Sequence, residues 1–261
     1  MIVREYLDEN WRGILDANHA GSFEQLWQLD LDNWFEPPNQ RRGGWSGVTR
    51  SELNLPDGGK VGVFIKRQEN HGYRAWQNLF RLSATFEREF LNLRQFGTLG
   101  ISTLEPIYFG QRKVEGKLRA ILITKELAGY QPFDAADYQP IAKIDQARRK
   151  RIFASVGSTL RHLHANHIQH NCLYLKHIFV HENPDGSVDA RLIDMEKAKR
   201  RPLRHFIAIR DLYSMHRRAE GWSRTDRLRL FLAYRQETRL SAESKRLLRA
   251  ILRRMQIKNR I

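Results

Sequence analysis

The spacing of apolar residues divides the chain into a first half that predicts mainly strands and a second half that predicts mainly helices. In the first half, apolar runs bounded by glycine and proline turns predict strands within 42–49, 60–66, 106–110 and 120–124. Phe86, Phe90, Leu93 and Phe96 recur at helical spacing and predict a helix over 84–96. From residue 145 onward, the pattern predicts helices over 152–164, 209–218, 225–235 and 241–255.

The same pattern gives the expected domain boundaries. Residues 1–33 are predicted to form a helical extension, because Leu7, Trp11 and Leu15 have helical spacing. Pro37 and Pro38 then break the pattern. The strand-rich stretch 34–124 predicts a β-rich N-lobe, and 125–261 predicts a hinge followed by a helical C-lobe. The expected fold class is therefore α+β, in two lobes.

Composition narrows the class of protein. The 261 residues include 41% hydrophobic residues, which is enough for a folded core. The single cysteine excludes a disulfide framework and suits a reducing compartment. No apolar run approaches the roughly 18 residues that a membrane span needs, and the N-terminus has no apolar signal-peptide core. These observations predict a cytoplasmic protein.

The net charge of +16 predicts phosphate-rich partners. Nucleic acid, an anionic membrane face and a phosphorylated glycolipid all carry suitable charge, and a generic basic surface is the simplest alternative. The chain has no zinc-ligand spacing, no aromatic RNA-binding signature and no helix-turn-helix pattern. The motifs therefore do not support a nucleic-acid-binding protein.

Residues 170–194 have the order of an active site that transfers phosphate. His170 opens a polar loop, an apolar strand and a hairpin follow, and Asp194 ends the apolar pair at 192–193. In kinase-type enzymes such a loop carries the catalytic base and a metal ligand, and the final Asp holds Mg²⁺ against the nucleotide phosphates. Here the base position, two residues after His170, is occupied by Cys172.

A glycine cluster and a strand-end lysine are the matching candidates in the first half. Glycine clusters are usually turns, but Gly43, Gly44 and Gly47 could also let a loop close over ATP phosphates. Lys66 ends an apolar strand nineteen residues after Gly47. A phosphate-binding lysine needs a carboxylate partner, and Glu89, beside Phe90, is favoured over Glu87.

Glu126 and Leu127 come just after the apolar strand 120–124. This is where a hinge between two lobes would offer backbone groups to adenine. The assignment depends on position in the chain alone.

Five segments carry a family resemblance: Arg42-Gly43-Gly44-Trp45-Ser46-Gly47, Ile65-Lys66-Arg67, Arg88-Glu89-Phe90, Gln169 to His177, and Leu192 to Lys197. Together, and in this order, they resemble the Kdo/WaaP lipopolysaccharide kinase family, with the greatest likeness to its InaA branch. The similarity extends from about Trp34 to Tyr234. It implies a protein-kinase-like fold, ATP and Mg²⁺ as cofactors, and phosphorylation of heptose or Kdo sugars in the lipopolysaccharide inner core.

The resemblance also implies roles for single residues. Lys66 would bind phosphates, Glu89 would hold Lys66 in place, and Asp194 would bind the metal. His177 stands five residues after the base position, where many kinases have a metal-binding Asn and where the lipopolysaccharide kinases have a His. Asp211 resembles the buried Asp that braces the catalytic loop of kinase-like folds.

Cys172 is the departure from the family pattern, and it is shared with the InaA branch. A thiol with a pKa near 8.5 is mostly neutral at pH 7, and a thiolate is a poor ligand for Mg²⁺. Losing a positioned base would slow transfer by roughly 10²- to 10⁴-fold rather than abolish it. His170 could take over as the base, although the equivalent residue in kinases is usually structural.

Basic residues follow Asp194 and cover the C-terminal helix. The first group would line the acceptor side of the site: Lys197, Lys199, Arg200, Arg201 and Arg204. In the C-terminal helix an apolar stripe beginning at Leu247 is surrounded by arginine and lysine. Such a helix can lie on an anionic membrane, but packing of the stripe on the core is favoured.

The sequence therefore predicts an ATP-dependent phosphotransferase that acts on the lipopolysaccharide core or another anionic glycolipid. It would act in the cytoplasm or peripherally at the inner face of the cytoplasmic membrane. A pseudokinase or stress-response regulator, which keeps the fold without phosphate transfer, is the alternative. Lys66, Glu89 and Asp194 favour the enzyme, and Cys172 favours the regulator.

Overall fold

The computed structural model describes residues 5–29, 34–41, 43–74 and 82–258. The chain forms two compact units. The N-terminal unit comprises Met1–Gln95 and Leu104–Ala128, and the C-terminal unit comprises Phe96–Thr103 and Gly129–Ile261. The fold is α+β, with a β-rich first unit and a largely helical second unit.

The N-terminal unit is built on an antiparallel sheet. Its strands are β1 (Glu5–Leu7), β2 (Trp34–Arg41), β3 (Gly44–Asn54), β4 (Lys60–Glu69), β5 (Gly72–Arg74), β6 (Leu82–Ala84), β7 (Pro106–Val114) and β8 (Lys117–Lys125). Six of them form one sheet in the order β1-β7-β8-β4-β3-β2, and β5 pairs with β6. Every neighbouring pair of strands in the large sheet is antiparallel.

Helices cover both faces of this sheet because its strands alternate buried residues between the two faces. The helices are α1 (Glu9–Ala17), α2 (Phe23–Gln28) and α3 (Thr85–Thr98). Leu15 of α1 and Phe23 of α2 belong to a buried cluster with Tyr108 and Ile121. The next residues of the same two strands, Phe109 and Leu122, belong instead to a cluster with Phe86 and Phe90 of α3.

Two strands near the N-terminus differ from the predicted pattern. Residues 5–7 were expected to be helical but pair with β7 in the sheet. Pro37 and Pro38, expected to break the pattern, lie within β2, where the register with β3 shifts between Glu36 and Asn39. Proline is tolerated here because β2 is the edge strand of the sheet and contains a bulge.

The C-terminal unit combines four helices with short strands. The helices are α4 (Gln146–Ala165), α5 (Arg204–Arg217), α6 (Arg224–Arg235) and α7 (Ala242–Lys258). The strands are β9 (Gln131–Pro132), β10 (Ile168–Gln169), β11 (Ile178–Glu182), β12 (Val188–Leu192) and β13 (Lys199–Arg200). The predicted hairpin at 183–186 joins β11 to β12, which pair antiparallel. β10 pairs antiparallel with β13.

A glycine allows α4 and α6 to approach closely. A Cβ at Gly157 would lie 2.6 Å from the backbone of Ala233 and Tyr234 on α6. Real side chains do not make contacts this short, so only glycine fits at this crossing.

The C-terminal helix α7 packs its apolar stripe inward, as the sequence favours. Leu247 and Ile251 are 4% and 1% exposed, whereas Leu252 remains 47% exposed. No helix in the part of the chain that the structure describes is long and apolar enough to cross a membrane.

Candidate active site

Lys66 and Glu89 form an ion pair inside the N-terminal unit. The Lys66 ammonium lies 2.6 Å from Oε1 of Glu89, and the two side chains are 17% and 4% exposed. Glu89 is buried because it follows Phe86 by three residues and precedes Phe90, both on the inward face of α3. Of the two glutamates considered from the sequence, Glu89 is therefore the one that contacts Lys66, while Glu87 is also buried on the same helix.

Gln68 anchors the start of the helix that carries Glu89, a role that was not predicted from the sequence. Its side-chain oxygen accepts hydrogen bonds from Thr85 Oγ1 at 2.8 Å and from the backbone N–H of Phe86 at 3.2 Å. Lys66 and Gln68 are two residues apart on β4, so their side chains lie on the same face of the sheet. The sequence signal that could have indicated this role is the spacing of two residues between Lys66 and Gln68.

The glycine cluster forms the hairpin between β2 and β3. Gly43 occupies its turn with φ of +75°, and Arg42 lies outside the described residues. A Cβ at Gly44 would collide with the backbone of residues 69–71, and one at Gly47 would lie 2.5 Å from the ring of Trp34. Close packing within the protein is thus sufficient to require glycine at 44 and 47, and the turn conformation favours it at 43.

Glu126 is engaged within the N-terminal unit. Its backbone N–H donates to the carbonyl of Gly62 at 2.9 Å, and its carboxylate accepts two hydrogen bonds from Arg50 at 2.7 and 2.8 Å. A nucleotide contact at this residue would therefore use its carbonyl oxygen. Leu127 follows it and is half-buried.

Asp211 braces the polar loop of the C-terminal unit, as the family resemblance implies. It is fully buried on α5. Oδ2 accepts the backbone N–H of His170 at 2.6 Å, and Oδ1 accepts that of Asn171 at 3.0 Å. The buried side chain of His164 lies 3.3 Å from the same carboxylate. A buried carboxyl group that accepts two backbone hydrogen bonds thus fixes the start of the loop that carries Cys172.

Both ring nitrogens of His170 are occupied by hydrogen bonds. Nε2 donates to the carbonyl of Ile193 at 3.0 Å, and Nδ1 accepts the backbone N–H of Cys172 at 3.3 Å. The side chain is fully buried, and burial lowers the pKa of this imidazole below its usual value. This geometry favours a structural role for His170 over that of a replacement base, because its ring joins the loop to the residue before Asp194.

Cys172 stands at the position that the sequence predicts for the base, and the pKa of its thiol is raised. The residue is half-buried, and loss of solvent raises the pKa of the thiol, while the positive charge of Lys197 lowers that pKa to a smaller extent. At neutral pH such a thiol cannot accept a proton from an acceptor hydroxyl as a carboxylate would.

His177 has one ring nitrogen fixed by the same loop. A carbonyl can only accept, so Nδ1 is protonated and donates to the carbonyl of Cys172 at 2.8 Å. Burial lowers the pKa of His177, and the neighbouring Asp194 opposes that shift. In the neutral ring, Nε2 therefore keeps its lone pair for a ligand.

Asp194 follows β12 in the left-handed backbone conformation, with φ of 58° and ψ of 49°. Its carboxylate is 40% exposed, and Oδ2 lies 3.5 Å from Nδ1 of His177. Non-glycine residues adopt this conformation infrequently, although Asp does so more readily than most. The backbone thus presents a carboxylate beside the loop that carries Cys172.

Asp194 suits Mg²⁺, which prefers oxygen ligands, whereas the imidazole of His177 is a softer ligand. No group of three or more His, Cys, Asp or Glu side chains could hold a metal ion in the described parts of the chain. A magnesium ion held by Asp194 would therefore complete its coordination with phosphate oxygens and water, as is usual at nucleotide sites.

Asn171 is a second positioning residue whose role was not predicted. It adopts φ of +66°, and its side-chain amide donates to the carbonyl of Lys197 at 2.8 Å. This bond joins the loop to the segment after Asp194. The sequence signal for this role was the residue type, because Asn adopts the left-handed backbone conformation more readily than most residues.

The predicted site residues thus fall into two groups. Lys66 and Glu89 contact each other in the N-terminal unit. His170, Cys172, His177 and Asp194 are joined through backbone and side-chain contacts in the C-terminal unit.

Comparison with known proteins identifies relatives of this chain. The model of the lipopolysaccharide kinase (Kdo/WaaP) family matches residues 24–234. The chain is 31% identical over 183 residues to Protein InaA of Escherichia coli (strain K12), covering 69% of this chain and 79% of that protein. The solved structure of WaaP in complex with acyl carrier protein matches with a TM-score of 0.65 and 18% identity over 98% of each chain. This likeness shows the predicted protein-kinase-like, bilobal α+β fold.

Proposed function

Because the chain belongs to the lipopolysaccharide kinase (Kdo/WaaP) family, we propose that it transfers the γ-phosphate of ATP to a sugar hydroxyl of the lipopolysaccharide core. The family match over residues 24–234 is the observation that carries this proposal. The acceptor would be a heptose or Kdo residue, or another anionic glycolipid sugar. The protein would act in the cytoplasm, where ATP is available, at the inner face of the cytoplasmic membrane.

Three side chains would supply the chemistry on the nucleotide side. Lys66, held by Glu89, would bind ATP phosphates, since a fixed ammonium stabilises the charge of the transferring group. Asp194 would hold the metal through its exposed carboxylate. When bound, Mg²⁺ would neutralise phosphate charge that develops during transfer. Gly43 and the carbonyl oxygen of Glu126 are further candidate nucleotide contacts, with Leu127 beside the adenine.

The acceptor side would work without a carboxylate base. Phosphate transfer passes through a loose transition state, in which the base orients the hydroxyl more than it removes the proton. Cys172 would therefore permit slow transfer, with the hydroxyl proton leaving late to solvent or to the phosphate itself. His170 would position the loop, because both of its ring nitrogens are already bonded.

Transfer of labelled γ-phosphate from ATP into purified lipopolysaccharide tests this function. Wild type should incorporate label, Asp194→Ala should lose incorporation, and Asp185→Ala should retain it. Asp185 is the matched control because it is an exposed acid of the same unit, in the hairpin after β11. Equal incorporation by wild type and Asp194→Ala, or none by wild type, would contradict the proposal.

A regulator that binds nucleotide without transferring phosphate is the second candidate. The protonated thiol at the base position favours it. Such a protein would be stabilised by Mg·ATP in a melting assay and yet incorporate no label into lipopolysaccharide. Stabilisation together with incorporation would exclude this second function.

A further inference from the structure

An exposed basic and apolar segment follows the candidate metal ligand. Every residue from 199 to 206 is exposed, whereas Ala198 before it and Ile207 after it are buried. The segment contains Leu203 and Phe206, which are 58% and 64% exposed. Large apolar side chains presented this far into solvent usually mark an interaction surface when they lie together.

The charge around these two side chains has one sign. Residues 199–206 include four lysine and arginine residues and no Asp or Glu: Lys199, Arg200, Arg201 and Arg204. In the described parts of the chain, none of these four forms an ion pair with a carboxylate. Their positive charge is therefore available to an external anion.

The start of α5 strengthens this preference for anions. Leu203 is its N-cap and provides no side-chain hydrogen bond, and the first turn contains no acidic residue. Arg204 occupies the first helical position, where the helix dipole is already positive. An anion bound here would offset the repulsion between Arg204 and the positive end of the helix dipole. It would also accept hydrogen bonds from backbone N–H groups left without a cap.

The backbone of the segment is held in place, so its side chains are presented in a defined arrangement. Arg200 pairs with Ile168 across β10 and β13, and the N–H of Arg201 donates to the carbonyl of His167 at 2.8 Å. Beside Leu203 and Phe206 lies a shallow cavity of about 400 Å³, which Arg201 and Arg210 also line. Apolar and cationic groups thus meet in one depression.

We propose that residues 199–206, with Arg210, form a surface that docks on an anionic phospholipid bilayer. Leu203 and Phe206 would insert at the boundary between headgroups and acyl chains, and the flanking cations would contact lipid phosphates. A bilayer is favoured over an acidic protein because both apolar side chains are more than half exposed, and a fluid surface accepts exposed apolar side chains without a complementary pocket. Their cationic surroundings match a negatively charged surface.

The surface adjoins the candidate catalytic loop within the C-terminal unit. β10, which pairs with Lys199 and Arg200, ends at the residue before His170. A bilayer docked on the segment would therefore bring lipid-anchored molecules close to this loop. The docking itself needs no phosphate transfer, so it can fail or succeed independently of the proposed function.

Sedimentation with vesicles tests the apolar contribution. The full chain should sediment with vesicles of phosphatidylcholine and phosphatidylglycerol at physiological salt, and much less with phosphatidylcholine alone. Leu203→Ser/Phe206→Ser should lower partitioning about tenfold. The matched control is Phe35→Ser/Leu252→Ser, which removes two similarly exposed apolar side chains elsewhere, 63% and 47% exposed. Equal losses in the two double variants would overturn the proposal.

A second pair of variants tests the charge. Arg200→Gln/Arg201→Gln should weaken binding to anionic vesicles, whereas Arg249→Gln/Arg253→Gln, the same charge change on exposed positions of α7, should not. All four variants should melt within a few degrees of wild type, since the substituted side chains are exposed. Equal binding to neutral vesicles would overturn the proposal. So would an absence of vesicle binding together with capture of soluble polyglutamate, which would indicate an acidic protein partner.

Discussion

Hydrogen bonds determine which ring nitrogen carries the proton in the two histidines around Cys172. His170 and His177 are each tied through one ring nitrogen to a backbone carbonyl, and Cys172 provides the N–H for one ring and the carbonyl for the other. The loop is therefore pre-organised around position 172, where the chain has a thiol in place of the carboxylate expected of a base. Restoring a carboxylate there is the most direct test of what the departure costs.

Cys172→Asp is expected to raise the rate of phosphate transfer. An aspartate would orient and deprotonate the acceptor hydroxyl, and Lys197 would help to keep it ionised, as it already opposes the raised pKa of the thiol. The gain should reach up to roughly 10²- to 10⁴-fold, the usual worth of a positioned base. Cys172→Asn, similar in size but not basic, is the control for the initial rate of label transfer. A flat or lower rate with Asp would show that the site has been rebuilt around another group.

Lys66→Ala and Asp194→Ala should each abolish stabilisation by Mg·ATP. The first removes the ammonium that Glu89 holds, and the second removes the exposed carboxylate beside His177. Thermal melting with and without Mg·ATP measures the effect, with Lys60→Ala as a control at the exposed start of β4. Lys66→Ala also removes the ion pair of the buried Glu89, so the melting temperature of this variant without nucleotide should fall. If Mg·ATP raised the melting temperature of both variants as much as that of wild type, Lys66 and Asp194 would not be part of the nucleotide site.

Sequence alone could select some of these residues but not all of their roles. Glu89 could be preferred over Glu87 because Phe90 beside it marks the inward face of α3. The bracing role of Asp211 followed from the family resemblance. By contrast, the role of His170 depends on Ile193, which is distant in sequence, and the N–H of Glu126 is occupied by Gly62. Such partners are set by tertiary packing, which no local pattern records.

Regular apolar periodicity predicted the helices and the central strands well, but it did not predict the strands at the edges of the large sheet. The helices α3 to α7 and the central strands β4, β7 and β8 have strong apolar patterns, and the structure has them where these patterns lie. The strands β1 and β2 are the two edges of the large sheet. An edge strand has one neighbour and needs less apolar alternation, so its sequence resembles a loop or a helix terminus.

The close crossing of α4 and α6 predicts how a substitution between these two helices affects stability. Gly157→Ala should lower the free energy of unfolding by about 1–3 kcal/mol, because the added Cβ would force the helices apart. Gly13→Ala in α1 is the matched control: a methyl group added there would meet no atom within 4 Å, so this variant should gain about 0.5–1 kcal/mol from the better helix propensity of alanine. Urea unfolding measures both. A gain in both variants would show that α4 and α6 are less tightly packed than the structure indicates.

For the molecule as a whole, buried histidines predict sensitivity to acid. Burial lowers the pKa of His216 to about 3 and also lowers the pKa of His170. Between these lowered values and the usual value near 6.5, the unfolded chain binds protons that the folded chain does not. Stability is therefore fully present above about pH 6.5 and falls as the pH decreases, by up to about 1.4 kcal/mol per pH unit for each such histidine.

Urea unfolding at several pH values between about 7 and 5 measures this slope. His216→Gln should remove the contribution of one proton and so make the slope less steep. A wild-type stability that does not change over this range would show that the buried histidines gain protons in the folded state as readily as in the unfolded chain.

The two prolines of β2 have a consequence for self-association. Successive N–H groups of a strand point alternately toward its partner and away from it, so one of two adjacent prolines removes a donor from the open edge. The register shift beside Pro37 and Pro38 distorts the same stretch. At the other edge, the described residues of β1 are the three from Glu5 to Leu7. Within the described residues, a second copy of the chain thus finds no long, regular edge on which to add a strand. This matters for a basic protein that polyanions would concentrate on their surfaces.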